Sequence, residues 1–138
     1  MDLFRVFDIA SSALSAQTVR MNTTASNMAN VDSASSSIGT TYRARQPVFE
    51  SVLTQSIGDG VAVGGVRLAG IVESNAELRR EYQSANPLAD EAGYVFLPNV
   101  NPVEEMANMI SASRSYQTNL EVINTSKQML MRTLNLGR

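Results

Sequence analysis

The chain has 138 residues, of which 11 are basic and 13 acidic, for a net charge of −2. That balance gives no electrostatic reason to expect nucleic acid or an anionic membrane as a partner. Cysteine, histidine and tryptophan are absent, which removes disulfides, thiolate zinc sites, the commonest metal ligand and the usual general base at neutral pH.

The start of the chain, MDLFRVFDIASSALSAQ, interrupts its apolar residues with Asp2, Arg5 and Asp8. A secretory signal has a basic start and an unbroken apolar core, so no cleaved signal is expected. No stretch of about 18 apolar residues occurs, so no membrane-spanning helix is expected either. Residues 3 to about 30 carry a heptad-like pattern instead. Phe7, Leu14, Met21 and Met28 lie seven apart, and Ala10, Gln17, Thr24 and Val31 fill the complementary seam position. Asp2 is placed to cap this helix.

Residues 32–41, DSASSSIGTT, are small and polar and read as a loop. Strand-like segments follow. YRARQPVFESVL, residues 42–53, alternates loosely, and its Pro47 favours a sheet edge. In GVAVGGVRLAGIVES, residues 60–74, two β-branched runs flank Gly64-Gly65, which predicts a hairpin turning at that pair. ELRREYQ and GYVFLP read as two short strands joined by the turn NPLADEAGY, punctuated by Pro87 and Gly93.

The second helix is expected from residue 101 to about 136. Asn101 can cap it, Pro102 suits the first helical position, and Glu104 stands three residues after the cap. Gly137 is placed to end it. Met106, Ser113, Leu120, Lys127 and Leu134 form one heptad position, and Met109, Tyr116, Ile123 and Leu130 the other. The fold class is therefore α+β: long N- and C-terminal helices pairing as an antiparallel coiled coil, with a small β-rich insert between them. The divisions are 1–31 for the first helix, 32–100 for the loop and insert, and 101–138 for the second helix.

Charge bears on what these helices touch. From Ile9 to Thr41 the charged residues are Arg20 and Asp32 alone. A solvated helix of this length normally carries charges on its outer face; this one carries Ser, Thr, Asn, Gln and Ala. Desolvating an amide that finds a partner costs far less than burying an ion. Both sides of the first helix are thus expected to be buried, one against the second helix and the other against further subunits. Asn22, Asn27 and Asn30 become contact residues, and Asn30, which tolerates left-handed backbone angles, is placed to turn the chain toward the insert.

Little here supports catalysis. Without histidine no conventional triad can be drawn. Glu104-Glu105 and Asp90-Glu91 are adjacent pairs that suit helix capping and a solvated turn. GDGVAVGG, residues 58–65, lacks the Gly-Lys-Ser/Thr ending of a phosphate loop and does not open a helix. No catalytic, metal or cofactor residue is assigned. Arg43, Arg45, Arg79 and Arg80 supply local positive charge that could meet an outer neighbour.

Two segments carry a resemblance. SALSAQTVRMNTTASNMANVDS, residues 12–33, with its Asn27-Met28-Ala29-Asn30-Val31 core, is similar to the N-terminal signature of the flagellar rod, hook and hook-associated axial proteins. The run from Asn99 to Arg138 resembles the tail of the same family. Taken with the short length, YRARQPVFE at 42–50, GIVES at 70–74 and NPLADEAGYVFLPNVNPVEEM at 86–106 resemble its proximal-rod members. The chain departs from the usual pattern where Asp32-Ser33 and a serine-rich stretch replace a Thr and Gly-Tyr; Tyr42 comes later.

The resemblance implies a non-enzymatic subunit of the bacterial flagellar basal body. It would leave by the flagellar type III system and assemble in the rod across the periplasm, with no nucleic acid and no membrane insertion. Its partners would be copies of itself, other rod subunits, export-gate or rod adaptor proteins and surrounding ring proteins. Its terminal helices would line a tube enclosing the export channel. The contact residues between helices or subunits are then Phe7, Leu14, Met21, Asn22, Asn27, Met28, Asn30, Val31, Met106, Met109, Ile110, Tyr116, Leu120, Ile123, Leu130 and Leu134. A competing reading is an exported adaptor or effector that folds on a partner through its terminal helices. A third, a glycan-acting enzyme, is disfavoured because no spaced pair of carboxylates is evident.

Overall fold

In the computed structural model, which describes residues 3–55 and 62–136, two long helices pack side by side and a two-part β insert sits between them in sequence. Helix α1 spans Leu3–Ala29 and helix α2 spans Pro102–Leu136. At 1.5 Å per residue they are about 40 and about 52 Å long. Arg20 meets Asn108 and Asn27 meets Glu105, so the two run antiparallel. The Asn101 side chain accepts from the Val103 amide at 3.1 Å and caps α2, while Glu104 and Glu105 lie in its first turn. The expected caps Asp2 and Gly137 lie outside the described residues.

The first part of the insert is an antiparallel ribbon of β1, Arg45–Gln55, and β2, Ala62–Glu73. The expected turn at Gly64-Gly65 is corrected here. Both glycines lie inside β2, opposite Leu53 and Val52, and not at a turn. The glycines serve a close approach instead. A Cβ on Gly65 would stand 3.4 Å from Ser12 Oγ of α1, and that same hydroxyl accepts from the Val66 amide at 3.2 Å. The register shifts between Val48 and Phe49, leaving Ala69 without a residue opposite. This bulge bends the ribbon.

The second part pairs β3, Arg79–Tyr82, with β4, Tyr94–Leu97. Gly93 turns the chain before β4 with φ of +81°, and a Cβ there would meet the Tyr82 ring at 2.7 Å. The Tyr82 and Tyr94 rings pack edge to face with centroids 5.3 Å apart. Val95, Leu97, Pro98 and Val100 are buried with Ala44 and Thr41, forming the small core of the insert. The serine-rich segment 32–41 joins it: Ser35 pairs its N–H and C=O with Phe96, at 2.9 and 3.0 Å.

Candidate assembly interface

The asparagines of α1 divide by what they touch. Asn27 is 1% exposed, and all of its amide's hydrogen-bonding capacity is used. Its Nδ2 donates to the Arg45 carbonyl at 2.8 Å and to Glu105 Oε1 at 3.0 Å. Its Oδ1 accepts from the Arg45 amide at 2.9 Å and from the Tyr42 hydroxyl at 2.9 Å. The side chain thus treats Arg45 as a strand neighbour would, exchanging both backbone bonds, while it ties α1 to the first turn of α2. Neither Gln, a methylene longer, nor Asp, without donors, can do the same.

Asn30 donates to the Ser26 carbonyl one turn back, at 2.8 Å. No non-glycine residue among those described takes a positive φ, so the expectation that Asn30 turns the chain in a left-handed conformation is corrected. Amide-to-carbonyl turns make that exit, Val31 to Met28 and Ser33 to Asn30. Asn22 is exposed.

The helix seam also differs in register from the heptads read in the sequence. On α2, Met109, Tyr116, Ile123 and Leu130 are half-buried. Their companions are Glu105, Ala112, Asn119 and Ser126, seven apart, three of them buried and Asn119 half-buried. The expected series Met106, Ser113, Leu120, Lys127 and Leu134 is displaced by one residue and stands outside the seam. The reason is size. Small side chains at 112 and 126 let the helices approach closely, and Glu105 is retained because Asn27 meets it. On α1, Phe7, Leu14, Met21 and Met28 are half-buried, as is Val31 just past its end, while Ala10, Ala16, Thr23 and Thr24 are buried. The second side of α1 packs in part on the β1–β2 ribbon, a neighbour within the chain where sequence reasoning expected another subunit. The signal that could have disclosed this is Gly64-Gly65, a strand surface bare enough for a helix to touch.

What the fold leaves outward is apolar. Val103, Met106 and Ile110 near the start of α2, Leu120 in its middle and Met131 and Leu134 near its end lie beside the seam and are all exposed, with Ser113, Gln117, Asn124 and Lys127 at the positions between them. Ile110 is 55% exposed and Leu134 is 66% exposed.

The four arginines considered for outer contacts each have partners within the chain. Arg43 donates to the carbonyls of Ser74 and Ala76 at 3.0 and 3.4 Å. Arg45 pairs with Glu73 at 3.3 Å and lies over the Tyr42 ring. Arg79 donates to the Val31 carbonyl at 2.9 Å and the Pro98 carbonyl at 3.1 Å, binding the end of α1 to the end of β4. Arg80 pairs with Asp90 at 3.2 Å and stacks over Tyr94 and Phe96. The Tyr94 amide, with the Ala92 amide and the Arg80 guanidinium, holds the Asp90 carboxyl below the ordinary carboxylate range.

A helix pair with an apolar outer stripe, bound to a small β insert, is the architecture of a subunit that packs among neighbours, and comparison with known proteins agrees. Residues 7–34 match the family described as flagella basal body rod protein, and residues 91–136 match the C-terminal family of the flagellar basal body rod FlgEFG proteins. Over its whole length the chain is 51% identical to the flagellar basal-body rod protein FlgC of Escherichia coli O6:H1 and 51% identical to that of Salmonella typhimurium. It is 53% identical to that of Yersinia enterocolitica, and in each case all 138 residues and the entire relative are covered. The chain belongs to the family of flagellar basal-body rod protein FlgC. It is a structural subunit of the flagellar rod and not an enzyme.

Proposed function

We propose that this subunit builds the proximal rod by packing its helix pair among copies of itself and other rod subunits, in a tubular drive shaft that transmits torque and encloses the export channel. Residues 1–31 and 101–138 form the inner part of that tube and residues 32–100 the outer part. Adaptor proteins of the export gate and the surrounding rings are its further neighbours. The subunit reaches the periplasmic span through the flagellar type III system, without a cleaved signal.

One observation carries this reading. The apolar residues of α2 from Val103 to Leu134 remain 43–71% exposed among the described residues, although the same helix is packed on its adjacent face. Covering a large apolar side chain contributes roughly 1.5–3 kcal/mol when it is fully buried, so a stripe of six supplies ample driving force for association. The asparagine at position 27 and the arginine at 79 make the unit rigid at the joint between inner and outer parts, as a torque-bearing element requires. The test is complementation in a strain lacking the chain. Ile110→Glu with Leu120→Glu should leave the protein exported but absent from purified basal bodies, with motility lost. Normal incorporation and swimming by that variant would refute the proposal.

A further inference from the structure

The chain has seven methionines and no cysteine, histidine or tryptophan. Its thioethers are therefore the side chains most open to a two-electron oxidant such as a peroxide, and the sulfoxide that forms can be reduced again. Met21, Met28 and Met109 are half-buried. Met106, Met129 and Met131, all on α2, are 46%, 53% and 55% exposed.

These exposed sulfurs differ in what stands one turn away, since side chains three and four residues apart are neighbours on a helix. Around Met129 those positions hold Thr125, Ser126, Arg132 and Thr133, each with a hydrogen-bond donor. Around Met131 they hold Lys127, Gln128 and Asn135, which can donate, and Leu134. Around Met106 they hold Pro102, Val103, Met109 and Ile110, and no side chain there can donate. A sulfoxide oxygen is a polar acceptor where the thioether was apolar. At 129 or 131 the helix itself offers donors to it when water is excluded. At 106 it offers none. Val103 and Ile110 are 71% and 55% exposed, so Met106 lies in an open apolar patch that peroxide reaches freely.

We infer that Met106 is a redox-sensitive modification site, whose oxidation to the sulfoxide by a peroxide withdraws the free chain from assembly. The inference rests on the assembly reading above, in which this part of α2 is covered by a neighbour. In the step, a lone pair of the Met106 sulfur attacks one peroxide oxygen, and the S–O bond forms as the O–O bond breaks. Sulfur gives up two electrons, and the departing hydroxide takes the proton of the transferred hydroxyl. Thioether and hydrogen peroxide thus become sulfoxide and water. Reduction by thiols reverses it, giving thioether, water and a disulfide. Covering the sulfoxide buries an acceptor without a donor, which lowers association about tenfold or more. A neighbour already seated on Met106 shields the sulfur, so the switch acts on the free subunit and spares the built rod.

For the test, purified chain and purified basal bodies are treated with hydrogen peroxide, and oxygen uptake at each methionine is read by peptide mass spectrometry. Met106 is expected to oxidise in the free chain and to be slowed about tenfold or more in basal bodies. In a strain lacking the chain, Met106→Gln, polar and of similar length, should lower the amount of this protein in basal bodies about tenfold, while Met129→Gln stays within about twofold of the parent. Met106→Leu should incorporate normally and, unlike the parent, continue to do so when peroxide is present during assembly. Normal incorporation of Met106→Gln, or of parent chain carrying the Met106 sulfoxide, overturns the switch and leaves the assembly reading standing. Equal loss from Met129→Gln or from Met106→Leu does the same, because the effect would then belong to any substitution on this helix. Equal oxidation of Met106 in free chain and in basal bodies overturns both the switch and the cover on which it rests.

Discussion

The joint around Asn27 and the outer face of α2 belong to the same helix pair, yet one is closed and the other open. At the joint every polar atom of Asn27 is answered within the chain. Along the outer run, apolar groups from Val103 to Leu134 face outward. The difference teaches that what a surface meets within the chain decides its use. Where an amide has four partners in reach, even a carboxylate such as Glu105 is buried beside it. Where no partner lies in the chain, low charge keeps a surface inexpensive to desolvate when another subunit arrives.

The strongest way to break that contrast is Asn27→Asp. The substitution removes two donors, leaves the Arg45 carbonyl and Glu105 Oε1 without them, and sets one carboxylate against another. A loss of about 3 kcal/mol or more is expected in chemical denaturation. The loss should shrink in acid, where a protonated aspartate regains one donor. A change below about 0.5 kcal/mol, the level of an ordinary surface substitution, would show that the joint is not closed in the way described.

Hydrogen exchange on the dilute monomer sharpens the comparison without changing a residue. Amides of α1 from Ala16 to Asn27 and of α2 from Glu105 to Ala112 should be among the slowest, since they flank the joint. Amides from Met131 onward should exchange nearly as fast as in an open chain, because a helix end without packing frays. Equal protection along α2 would mean that its end is held by something other than α1. It would then weaken the case that a neighbour supplies the hold.

How much of this was legible in the sequence varies by the kind of signal. The two helices, the strands β1, β3 and β4, the Asn101 cap and the turn at Gly93 follow from periodicity and local chemistry, whereas β2 reads there as two strands. The seam register was missed by one residue because apolar character points to Met106 and Leu120, whereas close packing chose Ala112 and Ser126. Hydrophobic pattern finds what avoids water; it does not distinguish burial within a chain from burial between chains. Gly64-Gly65 misled for a related reason. Two glycines can turn a strand or bare it for a helix, and only the position of Ser12 decides. The role of Asn27 was visible as an oddity of composition, but its partners Tyr42, Arg45 and Glu105 are brought to it by the fold.

Arg79→Ala probes the link between the joint and the outer sheet. The guanidinium bonds the Val31 and Pro98 carbonyls, holding the end of α1 against the end of β4. Both acceptors are carbonyls near the surface, so water replaces part of what is lost. A destabilisation of about 1–2 kcal/mol is expected, with Arg79→Lys recovering only part, because one ammonium cannot reproduce the forked geometry. If alanine were neutral in the monomer yet reduced swimming, Arg79 would act between subunits, as the sequence alone suggested, and the joint would rest on Asn27 without it.

The smallest effect belongs to Asp90, at the turn before β4. Its Oδ1 accepts from the Tyr94 amide at 2.8 Å and the Ala92 amide at 2.9 Å, and its Oδ2 meets Arg80. These contacts favour the carboxylate and lower its pKa in the folded chain. Between the folded and unfolded values the unfolded chain binds more protons, so stability rises with pH there. The contribution is fully present above the unfolded value, about 3.9, and is lost as pH falls through the folded one. Asp90→Asn keeps an acceptor for both amides but surrenders the ion pair and the titration. Its stability should therefore match the parent most closely in acid and fall slightly behind it at neutral pH, a difference kept small by solvent around the exposed Arg80. A parent and variant whose stabilities ran parallel from about pH 2 to 7 would show that the turn is held by its backbone bonds alone, leaving the contrast between closed joint and open stripe untouched.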